Sequence, residues 1–501
     1  MTLNVKQPSL LDALIPLVML IMLLGLSVYL YGSDSSYGPN QIALFVAAGV
    51  ALIVGLKNGH QWSALEQAMV HGISLSLGAI LILFAVGALI GTWLLSGTVP
   101  SLIYFGLQVL NPSWFYAAAC ILCAVVALSI GSSWTTAATI GVALIGVAMG
   151  LGLSPVVTAG AIISGAYFGD KISPLSDTTN LAPAMAGAEL FEHIRHMTWT
   201  TVPSLFLAIL IFALMGFNHS GEADAEKIVQ LSAELEKQFD IHWYHLLPML
   251  VLMVMAVKKV PAFPTVAIGA LLGGVWAVIF QPDLIARMTD QSLPAFLGTL
   301  KVVWTTLHSG FVIETGNAEL DKLLSGGGMA KMMNTVWLVM SAMVFGSVLE
   351  HTGLLKRFVQ IILARAHSTG SLITSTIVTC IATNILTADQ YMAIVMPGRM
   401  FKEEYARRGL APVNLSRTLE DGGTITSPLV PWNTCGAYMH GVLNVNPLDY
   451  IFYAFFNLIN PVLAIIYAYC GIKILKLTPP PAVFNPLAPV VEPVPDVALK
   501  S

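Results

Sequence analysis

Four short polar strings interrupt otherwise apolar sequence, and they hold the residues able to do chemistry. The first is Gly131-Ser132-Ser133-Trp134-Thr135-Thr136. The second, 170–180, holds Asp170, Lys171, Asp177, Thr178 and Asn180 around a Ser-Pro-Leu-Ser core. The third, 388–391, holds Asp389 and Gln390. The fourth runs from Glu420 and Asp421 through 423–434 to Asn433 and Thr434. A carboxylate at the centre of a membrane helix costs about 2.5–3.5 kcal/mol on insertion scales, so intramembrane acids call for a functional explanation. Asp177, Asp389 and Asp170 are the candidate proton and ion carriers. Ser132, Ser133, Thr135, Thr178, Asn180, Asn433 and Thr434 offer neutral oxygens, and with freed backbone carbonyls they suit a hard monovalent cation such as Na⁺. Exposed half-helix N-termini could instead face an anion. Glu420, Asp421, Lys171 and Arg417 are weaker candidates. Arg417 lies one turn before the two acids and can pair with either, whereas Lys171 or Arg417 could contact an organic anion. Taken singly, Ser and Thr in membrane helices back-bond to carbonyls or pack.

These strings need a membrane around them. Only 50 of 501 residues are charged, or 10%, against roughly 25% in a soluble chain. Hydrophobic residues make up 56% and mean hydropathy is +0.78. That balance excludes a soluble enzyme, a disordered chain and a nucleic-acid binder, and the net charge of −4 is too small to define a charged partner. Metalloprotease HExxH, nucleophile-elbow GxSxG and P-loop GxxxxGK[ST] motifs are absent, so neither an enzyme nor an ATP-driven pump is expected. The five cysteines sit in or beside apolar stretches. Cys120 and Cys123 read as helical neighbours one turn apart rather than a metal or redox pair.

Apolar segments lie near 11–31, 41–57, 74–96, 113–131, 155–169, 198–217, 245–257, 263–281, 332–350, 371–388 and 449–472, with shorter ones near 99–110, 133–150, 353–366, 391–400 and 411–425. Spanning helices need about 20 such residues. Residues 218–244 form a polar linker whose Ile228, Leu231 and Leu235 follow helical spacing. Residues 282–330 read as a long loop, and the tail 477–501 as an extended Pro-rich end, with seven prolines in 478–501. Glu350, His60, His193, His196 and His351 fall at span ends and read as interfacial.

The chain also matches itself at an offset of 257. Gly152-Leu153-Ser154-Pro155 falls on Gly409-Leu410-Ala411-Pro412, Cys123 on Cys380 and Trp134 on Tyr391. After a three-residue deletion, Ile172-Ser173-Pro174-Leu175 falls on Thr426-Ser427-Pro428-Leu429, Thr179 on Asn433 and Asn180 on Thr434. Residues 142–151 carry no Lys or Arg, whereas their counterparts 399–408 carry Arg399, Lys402, Arg407 and Arg408. Because basic short loops stay cytoplasmic, corresponding loops fall on opposite sides. The expected fold is therefore an all-α polytopic membrane protein of two inverted-topology repeats, 1–217 and 245–476, with both termini cytoplasmic. Each repeat has a re-entrant hairpin (tips about 131–136 and 388–391) and a broken helix (breaks about 170–180 and 423–434). Irregular backbone at membrane depth survives only where protein packs around it or a wet cavity opens, and inverted repeats with such breaks belong to secondary transporters.

The string from Gly165 through Asp170-Lys171-Ile172-Ser173-Pro174-Leu175-Ser176-Asp177-Thr178-Thr179-Asn180 to Pro183 closely resembles the NhaC family of Na⁺/H⁺ antiporters. So do His193-Ile194-Arg195-His196-Met197, Asp421-Gly422-Gly423-Thr424 and Pro431-Trp432-Asn433-Thr434-Cys435-Gly436. The resemblance implies the ion-transporter superfamily architecture: scaffold and transport domains, elevator motion and a homodimer in the cytoplasmic (inner) membrane of a bacterium. It implies exchange of Na⁺, or Li⁺, for H⁺ by alternating access, with no cofactor and Na⁺ as the only metal. The superfamily's sodium–carboxylate symporters carry Ser-Asn-Thr strings at their tips. Here the tips read Ser132-Ser133-Trp134-Thr135 and Asp389-Gln390, which adds an acid where a proton carrier is useful. Relatives of the family also include a malate–lactate exchanger and amino-acid carriers, so a small organic acid or an amino acid is the alternative cargo.

Overall fold

The computed structural model describes residues 6–218, 225–258, 260–289, 292–316, 321, 324–364 and 366–477. Residues 219–224 of the linker and the Pro-rich stretch 478–501 lie outside them. Among the described residues, nine helices are long and apolar enough to cross a membrane: Leu10–Tyr31, Pro39–Lys57, Trp62–Leu95, Pro112–Ile130, Ser133–Gly150, Leu190–Phe217, Ala262–Phe280, Met329–His351 and Thr369–Thr387. Two further apolar pairs are bent, Val229–Gln238 with Trp243–Val257 by 85° and Pro447–Tyr453 with Phe455–Cys470 by 58°. The only β pairings among the described residues are two isolated bridges, Phe311 with Gly326 and Leu410 with Lys476. Apolar side chains such as Leu11, Ile53 and Phe206 stand on the outside, while Asn384, Asp421 and Lys171 are buried. In water this distribution would be costly; in lipid it is the expected one.

Helix Trp62–Leu95 has 34 residues, so the third span starts well before the apolar run read at 74. Its polar start, with Glu66, His71 and Ser74, masks the helix in a hydropathy reading. The stretch 282–330 is not one long loop. Helices Pro282–Met288 and Ala295–Ser309 form within it. The second lies against Trp62–Leu95 so closely that a Cβ on Gly91 would stand 2.7 Å from the Thr306 carbonyl oxygen. The linker forms the expected helix, Ala225–Gln238. His193 and His196 are buried, not interfacial, and His193 Nδ1 lies 2.8 Å from Ser416 Oγ.

Local geometry recurs at the 257-residue offset. Gly131 and Ala388 both adopt positive φ, +76° and +57°, and each ends a helix. Ser132 and Asp389 follow as side-chain N-caps, accepting from Thr135 N and Met392 N. Gly152 and Gly409 again have positive φ, and Pro155 and Pro412 each open a helix. The breaks differ in length. Helix Pro155–Ile172 stops shortly before Ser176, the N-cap of Asp177–Ala186. Its counterpart Pro412–Leu419 passes into a π turn, Glu420–Thr424, and irregular chain then runs to Asn433, the N-cap of Thr434–Leu443. The three-residue deletion is thus made up inside the longer second break. At the helix starts Ser176, not Thr179, corresponds to Asn433, and Asp177, not Asn180, to Thr434. Asp170–Ile172 and Asp177–Asn180 are also helical, so the first break is four residues wide, 173–176.

Candidate functional site

The first tip is fixed by backbone stereochemistry. Left-handed φ at Gly131 favours glycine, and space demands it as well: a Cβ there would meet Leu175 Cβ at 2.6 Å and Leu175 C at 2.8 Å. The tip therefore rests directly on the first break. From it, Ser133 donates to Asp170 Oδ2 twice, through backbone N (3.0 Å) and Oγ (2.6 Å). At the second tip the same position is Gln390, whose Oε1 accepts from Ser427 Oγ at 3.3 Å and Cys435 Sγ at 3.1 Å. In both halves the residue that starts the return helix thus bonds the broken helix, with acceptor and donor exchanged. Across the halves, the Trp134 and Tyr438 rings stack with centroids 4.0 Å apart, and Tyr438 Oη donates to the Trp134 carbonyl.

Small residues let these helices approach. A Cβ on Gly165 would stand 2.0 Å from the Cys120 carbonyl, and one on Gly169 would stand 2.5 Å from that of Ala124. The pair is a small-xxx-small contact, a common means of close backbone packing in membranes. At the 257 offset Gly165 becomes Gly422, whose Cβ would lie 3.0 Å from Cys380 Cβ.

Tips and breaks open onto one cavity of about 820 Å³. Asp170, Asp177 and Asp389 all line it, and they are the charged groups among its described lining residues. Ser132, Thr135, Thr178, Asn180 and Thr434 line it too, so eight of the residues singled out in the sequence come together. Asp170 is buried, Asp389 half-buried, and Asp177 stands exposed to the cavity. Four helices begin at this point, at Ser133, Asp177, Gln390 and Thr434. Each N-terminus carries roughly half a positive charge, so the four helix ends favour negative charge on the carboxylates between them.

The remaining candidates have other tasks. Ser133 reaches the cavity only through Asp170. Asn180 Nδ2 donates to the Pro174 and Ser176 carbonyls at 2.9 and 2.7 Å, and so braces the break with its amide. Asn433 caps Cys435 N and donates to Asn384. Lys171, Asp421, Arg417 and Glu420 lie outside the cavity lining, in a buried ionic cluster. Lys171 Nζ pairs with Asp421, both side chains wholly buried, and donates to Asn460 Oδ1 at 2.8 Å. Thr200 Oγ1 adds a 3.1 Å bond to Asp421, and Arg417 Nε stands 3.9 Å from its other oxygen. Neither oxygen of Glu420 has a hydrogen-bond partner among the described residues. Lys171, paired with Asp421, and Arg417, buried with Nη1 donating to the Lys473 carbonyl, lie outside the cavity lining and are not placed to meet an anion there. The reading of them as anion contacts is corrected on that ground.

Sequence reasoning passed over Asn384, Gln390 and Tyr391 as site residues. Gln390 and Tyr391 line the cavity. Asn384 Nδ2 donates to the Gly423 carbonyl (2.6 Å) and Thr426 Oγ1 (3.0 Å), holding the second break open. The available signal was a lone amide in an apolar helix one turn before a tip.

The chain matches the Na⁺/H⁺ antiporter family over residues 165–472. The Na(+)/H(+) antiporter NhaC of Alkalihalophilus pseudofirmus is 37% identical over 436 residues, covering 87% of this chain and 91% of its own. The Malate-2H(+)/Na(+)-lactate antiporter of Bacillus subtilis is 37% identical over 470 residues, covering 93% and 96%. The arginine/ornithine antiporter ArcD of Halobacterium salinarum is 34% identical over 477 residues, covering 95% and 94%. Motif strings, helix breaks and similarity along nearly the whole chain lead to one conclusion: it belongs to the Na⁺/H⁺ antiporter family that includes NhaC.

Proposed function

We propose that this protein exchanges Na⁺, or Li⁺, for H⁺ by alternating access. The observation that carries the reading is the convergence of Asp170, Asp177 and Asp389 on one cavity where four helices start. A carboxylate site of this kind binds a cation or a proton, but not both. The empty charged site resists crossing the lipid, and coupling follows from that competition. Asp177 and Asp389 are the proton and ion carriers, with Asp170 beside them. Ser132, Thr135, Thr178 and Thr434 supply neutral oxygens, with Ser133 and Asn180 holding Asp170 and the first break.

The recurring caps at an offset of 257 support two inverted repeats of the elevator type, 1–217 and 245–476 joined by 218–244. The basic loops support cytoplasmic termini. A homodimer in a bacterial cytoplasmic membrane completes the reading. The test is reconstitution in proteoliposomes with an imposed Na⁺ gradient and a record of internal pH. Wild-type protein acidifies or alkalinises the lumen according to gradient direction, while Asp177→Asn and Asp389→Asn do not. Undiminished exchange in both variants would exclude the assignment.

A second reading rests on the cavity's size. About 820 Å³ is far more than one bare cation needs and lies in the range of organic-ligand sites. Co-transport of a small organic acid or amino acid uses the same Na⁺ and H⁺ chemistry, with helix N-termini facing its carboxylate. In the same liposomes, malate, lactate or an amino acid that changes the Na⁺-driven pH signal selects this reading.

A further inference from the structure

The linker, read from the sequence only as a solvated amphipathic helix, ends in a cluster unconnected with the cavity. Asp240, His242 and His245 bring one carboxylate oxygen and two ring nitrogens within 4.8 Å of one another. His242 Nδ1 is 3.0 Å from Asp240 Oδ1, and His245 Nε2 is 3.7 Å from Asp240 Oδ2. A tetrahedral ion with bonds near 2.1 Å holds its ligands roughly 3.4 Å apart, a value that the two distances to the Asp240 carboxylate oxygens bracket. A second observation is independent of the clustering. The His245 side chain is 0% exposed, and neither of its ring nitrogens has a hydrogen-bond partner among the described residues. Buried polar atoms are rarely left so, and a site for an ion is one of the standard reasons.

The surroundings fix the ligands as a metal site requires. Tyr244 Oη donates to Asp240 Oδ2 at 3.0 Å. The Asp240 backbone is clamped by Gln281, which accepts from its N–H (3.0 Å) and donates to its carbonyl (2.9 Å). His245 packs against the rings of Tyr244 and Phe280. Asp240 and His242 face solvent, leaving a fourth position for water. Gln281 follows helix Ala262–Phe280, whose opposite end reaches the cavity at Ala262. Nineteen helical residues put the two about 28 Å apart.

We propose that Asp240, His242 and His245 bind one divalent transition-metal ion, Zn²⁺ by ligand type and geometry, and so fasten the linker between the halves to the end of helix Ala262–Phe280. Full-length protein in detergent, stripped with EDTA and dialysed, is titrated with ZnCl₂ against a chromophoric chelator, with MgCl₂ as a parallel arm. The expected result is about one equivalent of Zn²⁺, reversed by EDTA, and no Mg²⁺ competition. His242→Gln, at an exposed position that places no burden on folding, weakens binding by at least about tenfold, since even an outer-shell loss costs about 10–100-fold. Asp240→Asn and His245→Gln do the same. Failure of wild-type protein to bind, or binding in His242→Gln as tight as in wild type, overturns the proposal. Because the readout is metal binding and not transport, the outcome is independent of the function proposed above.

Discussion

Asp170 Oδ2 is held by Ser133 through two bonds, and the Ser176 side chain adds another to the carboxylate. A hydrogen bond to a charged group contributes about 1.5–3 kcal/mol. Ser133→Ala removes the hydroxyl bond and keeps the backbone one. The Na⁺ concentration for half-maximal exchange is therefore expected to rise about tenfold, with the protein's melting temperature little changed. A variant with unchanged Na⁺ dependence would separate Asp170 from ion binding. The acids of this site were plain in the sequence, because carboxylates are scarce among the apolar runs. The partition between cavity and ionic cluster was not. Asp170 and Lys171 are adjacent in sequence, yet successive helical residues point about 100° apart. One faces the cavity and the other turns to Asp421, 250 residues away. Nothing local to the pair announces that partner.

Elements were legible where caps and periodicity coincide. The helix ends at Gly131 and Ala388 fall at the polar strings 131–136 and 388–391. The linker helix followed from Leu231 and Leu235. Break lengths were less accessible, because a Ser-Pro-Leu match looks the same whether a helix ends early or a loop runs long. Helix Ala295–Ser309 was hidden for another reason. Its Lys301, Trp304 and paired threonines break up the apolar run, and its fit depends on Gly91 in another helix. Packing of helix Phe115–Ile130 on helix Pro155–Ile172 rests on glycine. Gly165→Ala forces a Cβ against the Cys120 carbonyl at 2.0 Å, where backbone must move. Overpacking of this kind costs about 1–3 kcal/mol. The expected outcome is a clearly lowered melting temperature in detergent. Gly25→Ala, with nothing within 4 Å, is the matched control and should be neutral or slightly stabilising.

At the scale of the whole molecule, Lys171 and Asp421 join the two broken helices through a wholly buried pair. Breaking a buried pair from one side leaves an uncompensated charge and costs about 3–5 kcal/mol, whereas removing both partners costs much less. Lys171→Met and Asp421→Asn are each expected to destabilise the protein strongly. The double variant should recover a large part of the loss, a coupling that thermal unfolding of all four proteins measures. Strict additivity would show that the pair does not link the halves energetically.

The Thr434 amide donates to the Ala388 carbonyl at 2.8 Å, a main-chain bond between the second tip and the start of a helix 46 residues on. Side chains can be exchanged by mutation, but this pairing cannot. Pulling the two apart would leave a buried donor and acceptor unpaired, at about 1–3 kcal/mol for each. Whatever displacement carries cargo from one side to the other, the tip at Ala388 and the helix at Thr434 must ride together. On the exchange proposed above, access alternates with this seam kept closed.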